Sequence, residues 1–558
     1  MTDREPKSGG QTRRTFLERA AAGAATVGGS AALSRSALAA TRASSAPRGG
    51  MNILVVMVDQ MRLPSMWLPS ALRRRALPNI TRLADRSVQF VNHVTASNAC
   101  SPARSTILTG LYTHQNAMYI TQELQEGGAL GGNSPDLNPG FPTYGTMLRS
   151  IGYKTAWIGK WHLSSKCDYE PYGFATYVCP SPNGGPGEGL QKDPTITEAF
   201  LGWLEAHGSD GPWCTTVSFV NPHDIAFYPR FTRVVPIERN PSPVFRRLPA
   251  NYETPRRLIE QRKPFSQRGL QQAEGVAIGA MPYQGEAAVH AWTKLLDTYL
   301  LMHQLVDRQV GRVLDALAAR PQIARNTIVL FLADHGEYGG AHGQRGKAAM
   351  AYEEAIRVPL TAYDPSGTWT KAIGSPRHQL TSSVDFAPLL LTMASGGEQW
   401  RTDPRWEHIA SRLKMEDLLA SPTAHGRPYV IHATDERAVE EGPTALLAAR
   451  APTHVIGVRD AHGKYVSYNY WPTGTVDIQA KGAQTEAYDY ATRSGRLELD
   501  NERRKPRSQQ PPFVRRLQAL WAERAIPDEL RQPLPAALQP VQQQALADYL
   551  AYVQEPAS

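Results

Sequence analysis

Cys100-Ser101-Pro102-Ala103-Arg104 is the stretch around which the chain is organised, and it continues as Ser-Thr-Ile-Leu-Thr to Gly110. Proline is well tolerated in the first turn of a helix, so the stretch predicts a turn that opens a helix. Arg104 lies one turn further on and points back toward Cys100, which places a cation and a sulfur at one helix end. Helix N-termini favour anions, and such a place suits a nucleophile that attacks a negatively charged ester. A lone cysteine is more often a buried structural residue. Whether Cys100 is a nucleophile or a structural residue therefore depends on the motifs in the rest of the chain.

Length and composition are those of a globular protein. The chain has 558 residues, of which 41% are hydrophobic and 20% are charged, so it can hold two or more domains, or one large α/β domain with an appendage. Four cysteines are too few to make disulfides the framework. Cys167 and Cys179 are candidates for one disulfide, and Cys214 lies in a predicted strand. No stable membrane insertion is expected, because no apolar stretch is long enough to span a bilayer. No nucleic-acid partner is expected either.

Residues 1–40 predict a twin-arginine export signal. Thr12-Arg13-Arg14-Thr15-Phe16-Leu17 carries the arginine pair, an Ala/Gly-rich run follows from Ala20 to Leu33, and Ala37-Leu38-Ala39 supplies small residues for cleavage. A disordered basic tail is the alternative. The signal implies export by the twin-arginine translocase to a periplasmic or secreted location. The formal net charge of +9 falls to +6 without residues 1–39, which hold six Lys/Arg and three Asp/Glu.

Two apolar runs predict buried strands that each end in an acidic residue. Asn52–Val58 is continuously apolar and leads into Asp59-Gln60, and Ile328–Ala333 leads into Asp334-His335-Gly336-Glu337. Such runs are typical of central parallel strands, and open α/β sheets place their sites at the carboxyl ends of those strands. Taken singly, an acidic turn residue explains each pair as well.

Alternating helices and strands predict a mainly parallel, doubly wound sheet over residues 50–420. Further strands are predicted at 88–90, 153–158 and 213–220, and helices at 143–151, 193–206, 288–319 and 384–393. Residues 225–290 are rich in Pro and Arg and are predicted to form an irregular insertion. Short strands at 429–431, 453–458 and 465–470 predict a small antiparallel α+β subdomain over 421–505, and 506–558 predict a basic linker and a helical tail.

Two short segments contain basic residues that are candidates for the functional site. Lys160 and His162 alternate with Trp161 after the strand at 153–158, so an extended chain would place both on one face; the polar face of an edge strand is the alternative. A Gly-rich loop after Glu337 carries His342, Arg345 and Lys347.

The order and spacing of these pieces resemble the sulfatases of the alkaline phosphatase superfamily, from about Asn52 to about Asn501. The cysteine stretch matches the signature Cys-x-Pro-x-Arg, in which the cysteine is converted to formylglycine. The other matching pieces are Val58-Asp59-Gln60, Gly159-Lys160-Trp161-His162, Pro222-His223, Ala333-Asp334-His335-Gly336-Glu337, Gly346-Lys347 and Glu486-Ala487-Tyr488-Asp489. The resemblance implies an alkaline phosphatase-like fold, hydrolysis of a sulfate ester, and a formylglycine-generating enzyme as a partner.

The resemblance also implies roles for the matching residues. One divalent cation, Ca²⁺ or else Mg²⁺ or Mn²⁺, would be held by Asp59, Gln60, Cys100, Asp334 and His335. Arg104 would steady the hydrated aldehyde. The sulfate oxygens would be bound, and departure of the leaving group assisted, by Lys160, His162, His223 and Lys347. A formylglycine hydrate offers one hydroxyl to attack sulfur, and proton loss from the other expels sulfate.

Two departures from the usual sulfatase pattern leave alternatives open. Many sulfatases carry Asp where Gln60 stands and Asn where His335 stands, whereas choline sulfatases and phosphonate monoester hydrolases look like this chain there. A phosphonate monoester or phosphodiester hydrolase is therefore one alternative, although the Lys160 and His162 pair favours a sulfatase. An exported, non-catalytic binding relative is another alternative, and a two-metal phosphatase would need more carboxylate and histidine ligands. Choline, aryl and carbohydrate sulfates all remain open as substrates.

The insertion carries a strong positive charge. Between Arg230 and Glu274 there are ten Lys/Arg and four Glu, a balance of +6. Because the insertion follows His223, a cationic rim beside the site is expected to favour polyanionic carbohydrate substrates such as sulfated glycans. A solvated basic loop without a ligand is the alternative.

Overall fold

The centre of the fold is a seven-stranded sheet. The structure is a computed structural model that describes residues 50–122, 134–179, 181–230, 243–436, 451–472 and 474–554, so the predicted export signal lies outside the described residues. Its strands are β1 (Asn52–Asp59), β2 (Val88–Phe90), β4 (Lys154–Gly159), β5 (Ala175–Thr176), β6 (Trp213–Pro222), β7 (Thr327–Ala333) and β8 (Leu360–Tyr363), while β3 (His93–Val94) pairs with β9 (Thr381–Ser382). The strand order in the sheet is β2-β8-β7-β1-β6-β4-β5.

The sheet is mainly parallel, which confirms the predicted fold class. β1 lies between β6 and β7 and is parallel to both, and β4 and β5 continue the parallel array. β8 and β2 run antiparallel at the other edge. All eight residues of β1 are buried, as expected for a strand that helices cover on both faces.

Long helices cover the two faces of the sheet. Glu188–His207 and Gly285–Ala318 pack on the face that carries Leu54, Val56 and Val58. Cys100–Thr109, Tyr144–Ser150 and Phe386–Ser395 pack on the opposite face. Among the described residues before the C-terminal sheet, the remaining α-helices of six or more residues are Ser70–Ala76, Pro78–Ala84, Pro255–Glu260, Phe265–Ala277 and Met415–Ala420. The helices predicted from periodicity are thus all present.

The prediction of an irregular insertion is wrong for residues 255–277, whereas the described residues 243–254 form neither helix nor strand. Residues 255–260 and 265–277 are helical. Their prolines mark helix starts, because Pro255 occupies the first turn and Pro264 directly precedes the second helix. The Thr254 hydroxyl caps the first helix by accepting from Arg257 N at 3.2 Å.

The extended arrangement of Lys160 and His162 is also wrong. β4 ends at Gly159, and His162 has a left-handed backbone with φ = 59°. The two side chains therefore reach the site from a turn, not from one face of a strand.

A second sheet of four antiparallel strands lies toward the C-terminus. It contains β10 (Val430–Thr434), β11 (His454–Arg459), β12 (Gly463–Tyr470) and β13 (Gln479–Asp489) in that order. The strands predicted at 429–431, 453–458 and 465–470 correspond to β10, β11 and β12, and Arg459 pairs with Lys464 where β11 and β12 join; β13 was not predicted. Helices Pro512–Leu520, Trp521–Leu530 and Gln539–Gln554 follow. The domain boundaries at 420 and 505 stay a prediction.

The cysteines fall into two groups. Cys167 and Cys179 form a disulfide, while Cys100 and Cys214 are free and buried. Cys214 lies in β6, as predicted. Among the described residues, no helix has the length and apolar character needed to cross a membrane.

Candidate active site

The carboxyl ends of four neighbouring strands form the site. Asp59 ends β1 and Asp334 directly follows β7, and the register pairs Val58 with Ala333, so the two carboxylates lie side by side. Lys160 follows β4 and His223 follows β6. Because β7, β1, β6 and β4 are adjacent in this order, one edge of the sheet collects two anions and two basic groups.

The helix Cys100–Thr109 begins at this edge and brings in a buried arginine. Its first residue follows Ala99, which is extended, and Gly110 ends it with φ = 70°. Arg104 Nη2 donates to Asp59 Oδ2 at 2.9 Å, and Arg104 Nε donates to Asp334 Oδ2 at 3.0 Å. Its Nη1 donates to the Lys160 carbonyl at 2.7 Å and to Ser218 Oγ at 3.0 Å. The guanidinium therefore aligns the two carboxylates rather than lying free beside position 100.

Cys100 lies within reach of groups of both charges. Its Sγ is 3.2 Å from His335 Nε2, 3.6 Å from Asp59 Oδ1 and 3.8 Å from Lys160 Nζ. The thiol is completely buried. Asp59, Cys100, Asp334 and His335 each offer one atom to a group whose members all lie within 4.8 Å of one another.

His335 presents a lone pair to this group. Its Nδ1 lies 3.0 Å from the Gly336 carbonyl, which places the ring proton on Nδ1 and leaves Nε2 as an acceptor. Burial lowers the pKa of His335 despite the nearby Asp334 carboxylate, so the imidazole is neutral. Two carboxylates, a neutral imidazole and an oxygen-bearing residue at position 100 make a donor set that suits Ca²⁺, Mg²⁺ or Mn²⁺. The residues present thus fit one divalent cation.

Asp59 is held in its ionised form. Burial alone would raise the pKa of its carboxyl, but the positive charges of Lys160, His223 and Arg104 outweigh burial and hold the pKa well below its usual range. Lys160 Nζ is 2.9 Å from Asp59 Oδ2, and His223 Nε2 is 3.9 Å from Asp59 Oδ1. An ionised carboxylate is the form that binds a cation.

Lys347, from the Gly-rich loop, completes the cationic side. Its Nζ lies 2.8 Å from His223 Nε2 and donates to Gln60 Oε1 at 2.7 Å. The Gln60 backbone N–H donates to Asp334 Oδ1 at 3.1 Å. Gln60 thus stands beside the carboxylates, and its expected role as a cation ligand stays a prediction.

His162 lies in the same buried region. Its Nδ1 finds no hydrogen-bond partner among the residues that the structure describes, although only 6% of the residue is exposed. Burial, followed by the charges of Lys160 and Arg104, lowers the pKa of His162 well below its ordinary value. The ring is therefore neutral near pH 7 and offers one N–H and one lone pair.

The backbone around the site is strained in a way that no sequence pattern reveals. Gln60, His162, Ala348 and Ala349 have φ angles of 65°, 59°, 67° and 55°. Non-glycine residues in this region cost of order 1–3 kcal/mol each and cluster at functional sites. Two of these residues directly follow Lys347, so the surrounding contacts must impose its position.

Gly184 is a site residue that the sequence analysis missed. A Cβ on Gly184 would come within 2.6 Å of Lys160 Nζ and 2.7 Å of His223 Cε1. The backbone of this loop therefore lies directly against the basic groups. The run Asn183-Gly184-Gly185 was the available signal, and Glu188 Oε2 anchors it by accepting from all three backbone N–H groups at 2.8–2.9 Å.

His342 and Arg345 from the Gly-rich loop do not join the site. His342 stacks on Tyr352 with ring centroids 3.7 Å apart, and Arg345 Nε donates to Glu274 Oε2 at 3.1 Å. His342 also belongs to a second group of possible metal ligands with Glu354 and Glu498. Cations offset that group, since Lys464 Nζ lies 2.5 Å from Glu498 Oε1.

Comparison with known proteins identifies this arrangement. The family model described as Sulfatase matches residues 51–396, a range that contains every site residue named above. This chain belongs to the sulfatase family. It is accordingly a sulfuric ester hydrolase of the alkaline phosphatase superfamily.

Similar proteins agree with this assignment. This chain is 27% identical over 381 residues to an uncharacterized sulfatase of Escherichia coli, YidJ, and the alignment covers 62% of this chain and 67% of that protein. It is 26% identical over 387 residues to the choline-sulfatase of Rhizobium meliloti, covering 62% and 68%.

Solved structures show the same fold at lower identity. A phosphonate monoester hydrolase from Silicibacter pomeroyi aligns with a TM-score of 0.63 at 19% identity, covering 88% of this chain and 97% of that one. BT4656 in complex with its substrate D-glucosamine-2-N,6-O-disulfate aligns with a TM-score of 0.59 at 19% identity, covering 91% and 99%.

Proposed function

We propose that this sulfatase cleaves a sulfate monoester with a formylglycine made from Cys100 and with one divalent cation, most simply Ca²⁺. The observation that carries the proposal is the position of Cys100 Sγ, 3.2 Å from His335 Nε2 and 3.6 Å from Asp59 Oδ1. A side chain at this place can share one cation with both residues. Asp59, Asp334 and His335 would hold that cation, with Gln60 as a further oxygen donor.

The formylglycine and the cation would supply distinct chemistry. A formylglycine hydrate supplies a nucleophilic hydroxyl and a second hydroxyl whose proton loss releases sulfate, which an ordinary alcohol or thiol does not offer. A divalent cation supplies charge stabilisation for the sulfate oxygens and for the nucleophile.

The residues of the chain account for binding and orientation. Lys160 and Lys347 place two ammonium groups at the carboxyl edge of the sheet, where they can neutralise the non-bridging sulfate oxygens. Arg104 keeps Asp59 and Asp334 in register through hydrogen bonds of 2.9 and 3.0 Å. The loop at Gly184 excludes water from Lys160 and so strengthens its electrostatic effect.

The leaving alcohol needs a proton, and the Lys347–His223 pair is the best-supported source. Lys347 Nζ lies 2.8 Å from His223 Nε2, so a proton can be held between the two atoms. His162 has a strongly lowered pKa, so it is neutral and serves better as a hydrogen-bonding partner of the leaving oxygen than as the acid.

Phosphonate monoester or phosphodiester hydrolysis is a second candidate activity. Two lysines and one arginine face two carboxylates before any cation binds, and this excess of positive charge tolerates more than one kind of anionic ester. The test is kcat/KM with a generic aryl sulfate and with the matching aryl phosphonate ester. We expect the sulfate to be the better substrate, and a clear preference for the phosphonate would reverse the assignment.

Sulfated carbohydrates are the proposed substrate class, supported by the complex of BT4656 with its substrate D-glucosamine-2-N,6-O-disulfate. In the insertion, Lys263 is buried against Glu253, and Arg256 and Arg257 pair with Glu260 and Asp500. These pairs offset part of the expected positive rim.

Exposed Arg246 and Arg247 are better placed to attract a polyanion. Replacing both by Ser should weaken the salt dependence of kcat/KM on a sulfated oligosaccharide but not on an aryl sulfate. The Arg256→Ser/Arg257→Ser variant is the matched control, and we expect it to have the smaller effect. Equal salt slopes for both substrates in the wild type would leave the insertion without a role in substrate choice.

Export by the twin-arginine route to the periplasm or outside the cell stays part of the proposal. Cys100 is completely buried in the fold, so a formylglycine-generating enzyme must act before folding is complete. Because the twin-arginine translocase moves folded proteins, the modification should already be present in the cytoplasmic precursor. Mass analysis of the precursor and of the exported protein tests both statements.

A further inference from the structure

Glu337 is a buried carboxylate that reaches the site through its neighbours. It follows Asp334-His335-Gly336 and is 1% exposed. Its Oε2 accepts from Gln60 Nε2 at 2.6 Å. Its Oε1 accepts from the backbone N–H groups of Gly339 at 2.9 Å and of Gly346 at 2.7 Å.

The Gln60 amide lies between this carboxylate and an ammonium group. Gln60 Nε2 faces Glu337, and Gln60 Oε1 accepts from Lys347 Nζ at 2.7 Å. A carboxylate can only accept and an ammonium can only donate, whereas a primary amide does one at each end. The two charged neighbours therefore allow a single orientation of the amide.

We propose that Glu337 is a positioning residue that sets the place of Lys347 in the site. It acts through Gln60, whose oxygen it turns toward Lys347, and through Gly346, which directly precedes Lys347. The proposal rests on the proposed function in one respect, since it takes Lys347 to bind the sulfate group of the substrate.

A role limited to anchoring the loop is the competing explanation. Arg345 and Glu274 also anchor the Gly-rich loop, through the 3.1 Å contact of Nε with Oε2. None of the contacts described for this pair involves Gln60 or Lys347. Glu274→Gln is therefore the matched control for weaker anchoring of this loop.

A charge-swap cycle separates the two explanations. Gln60→Glu places a second carboxylate against Glu337, so two acceptors face each other. Glu337→Gln removes the charge that orients the Gln60 amide. Combining both changes exchanges the two roles: the amide at position 337 donates, and the carboxylate at position 60 accepts from that amide on one side and from Lys347 on the other.

The cycle is measured as KM and kcat on an aryl sulfate and as the midpoint of thermal unfolding. We expect each single variant to raise KM about tenfold, a typical size for neighbours in direct contact. The double variant should recover most of the wild-type midpoint and part of the lost KM, because position 60 keeps an oxygen for Lys347 but brings a new negative charge to the cation site. Glu274→Gln should lower the midpoint and leave KM within about twofold of wild type.

Several results would overturn the proposal. Additive losses in the double variant, in KM or in the midpoint, would show that Gln60 and Glu337 do not act as a unit. Recovery of the midpoint without recovery of KM would assign Glu337 to stability alone. If no sulfate ester is turned over by the wild type, the proposed function fails, while the midpoints still test the coupling of the two residues.

Discussion

Arg104 Nη2 donates to Asp59 Oδ2 at 2.9 Å, and both side chains are completely shielded from solvent. Removing one partner of a buried ion pair leaves an uncompensated charge and typically costs about 3–5 kcal/mol. Arg104→Ala should lower the free energy of unfolding by about this amount, as measured by urea denaturation.

Arg104→Lys is the informative companion variant, because it keeps the charge and loses the second contact with Asp334. We expect its free energy of unfolding to lie between those of wild type and Arg104→Ala. Its activity should be strongly reduced, as should that of Arg104→Ala. Full activity in Arg104→Lys would show that charge alone suffices and that the alignment of the two carboxylates is unimportant.

Asp334 should be required for binding of a single divalent cation. Asp334→Asn keeps the shape and the acceptor oxygen but removes the negative charge that the cation needs. Elemental analysis should find about one cation per chain in the wild type, consistent with one compact donor set, and none in the variant, and chelation should abolish activity. Two tightly bound zinc ions per chain would support a phosphatase instead.

His223 should matter most when the leaving group is poor. Loss of a proton donor typically lowers rates by a factor of about 10²–10⁴, and the loss grows as the leaving alcohol becomes more basic. We therefore expect His223→Gln to steepen the dependence of kcat on leaving-group pKa across a series of aryl sulfates. His290→Gln, at an exposed position, is the control, and an unchanged slope in His223→Gln would exclude the role.

Buried neutral histidines should make the fold sensitive to acid. Burial lowers the pKa of His93 and of His432 from 6.5 to about 4. Below pH 6.5 the unfolded chain binds protons at these positions while the folded chain does not, so stability falls until pH 4 and then levels. The shift corresponds to at most about 3 kcal/mol per residue.

The measurement is the free energy of unfolding between pH 7 and pH 4. His432→Gln should show a shallower fall than wild type over this range, although it is less stable at pH 7. A parallel fall in both proteins would mean that other groups, chiefly carboxylates, govern the acid response.

Strand ends were the part of the site that the sequence could reveal. Asp59 and Asp334 follow continuous apolar runs, and parallel pairing brings such ends together. The helix start at Cys100 followed from the position of Pro102. These features depend on local composition and on general rules of sheet packing, which a single sequence contains.

Contacts that depend on the direction of a side chain could not be predicted from the sequence. The contact of Glu337 with Gln60 joins residues 277 positions apart, and the sequence pattern of neither segment predicts it. The position of Gly184 against Lys160 is similar, because a glycine in a loop predicts only a turn.

Missed secondary structure has simpler causes. The prolines of the insertion indicated irregular chain, although Pro255 and Pro264 mark helix starts. β13 is a polar strand at the edge of its sheet and contains Gly482 with φ = 83°, so it lacks the alternation that identifies a half-buried strand.

The state of residue 100 tests the account most directly. The measurement is a peptide mass map of the active, exported enzyme combined with activity of the wild type, Cys100→Ser and Cys100→Ala. We predict an aldehyde in place of the thiol at position 100, no turnover in Cys100→Ala and strong impairment in Cys100→Ser. Full activity in a protein whose Cys100 carries an unmodified thiol would contradict the account.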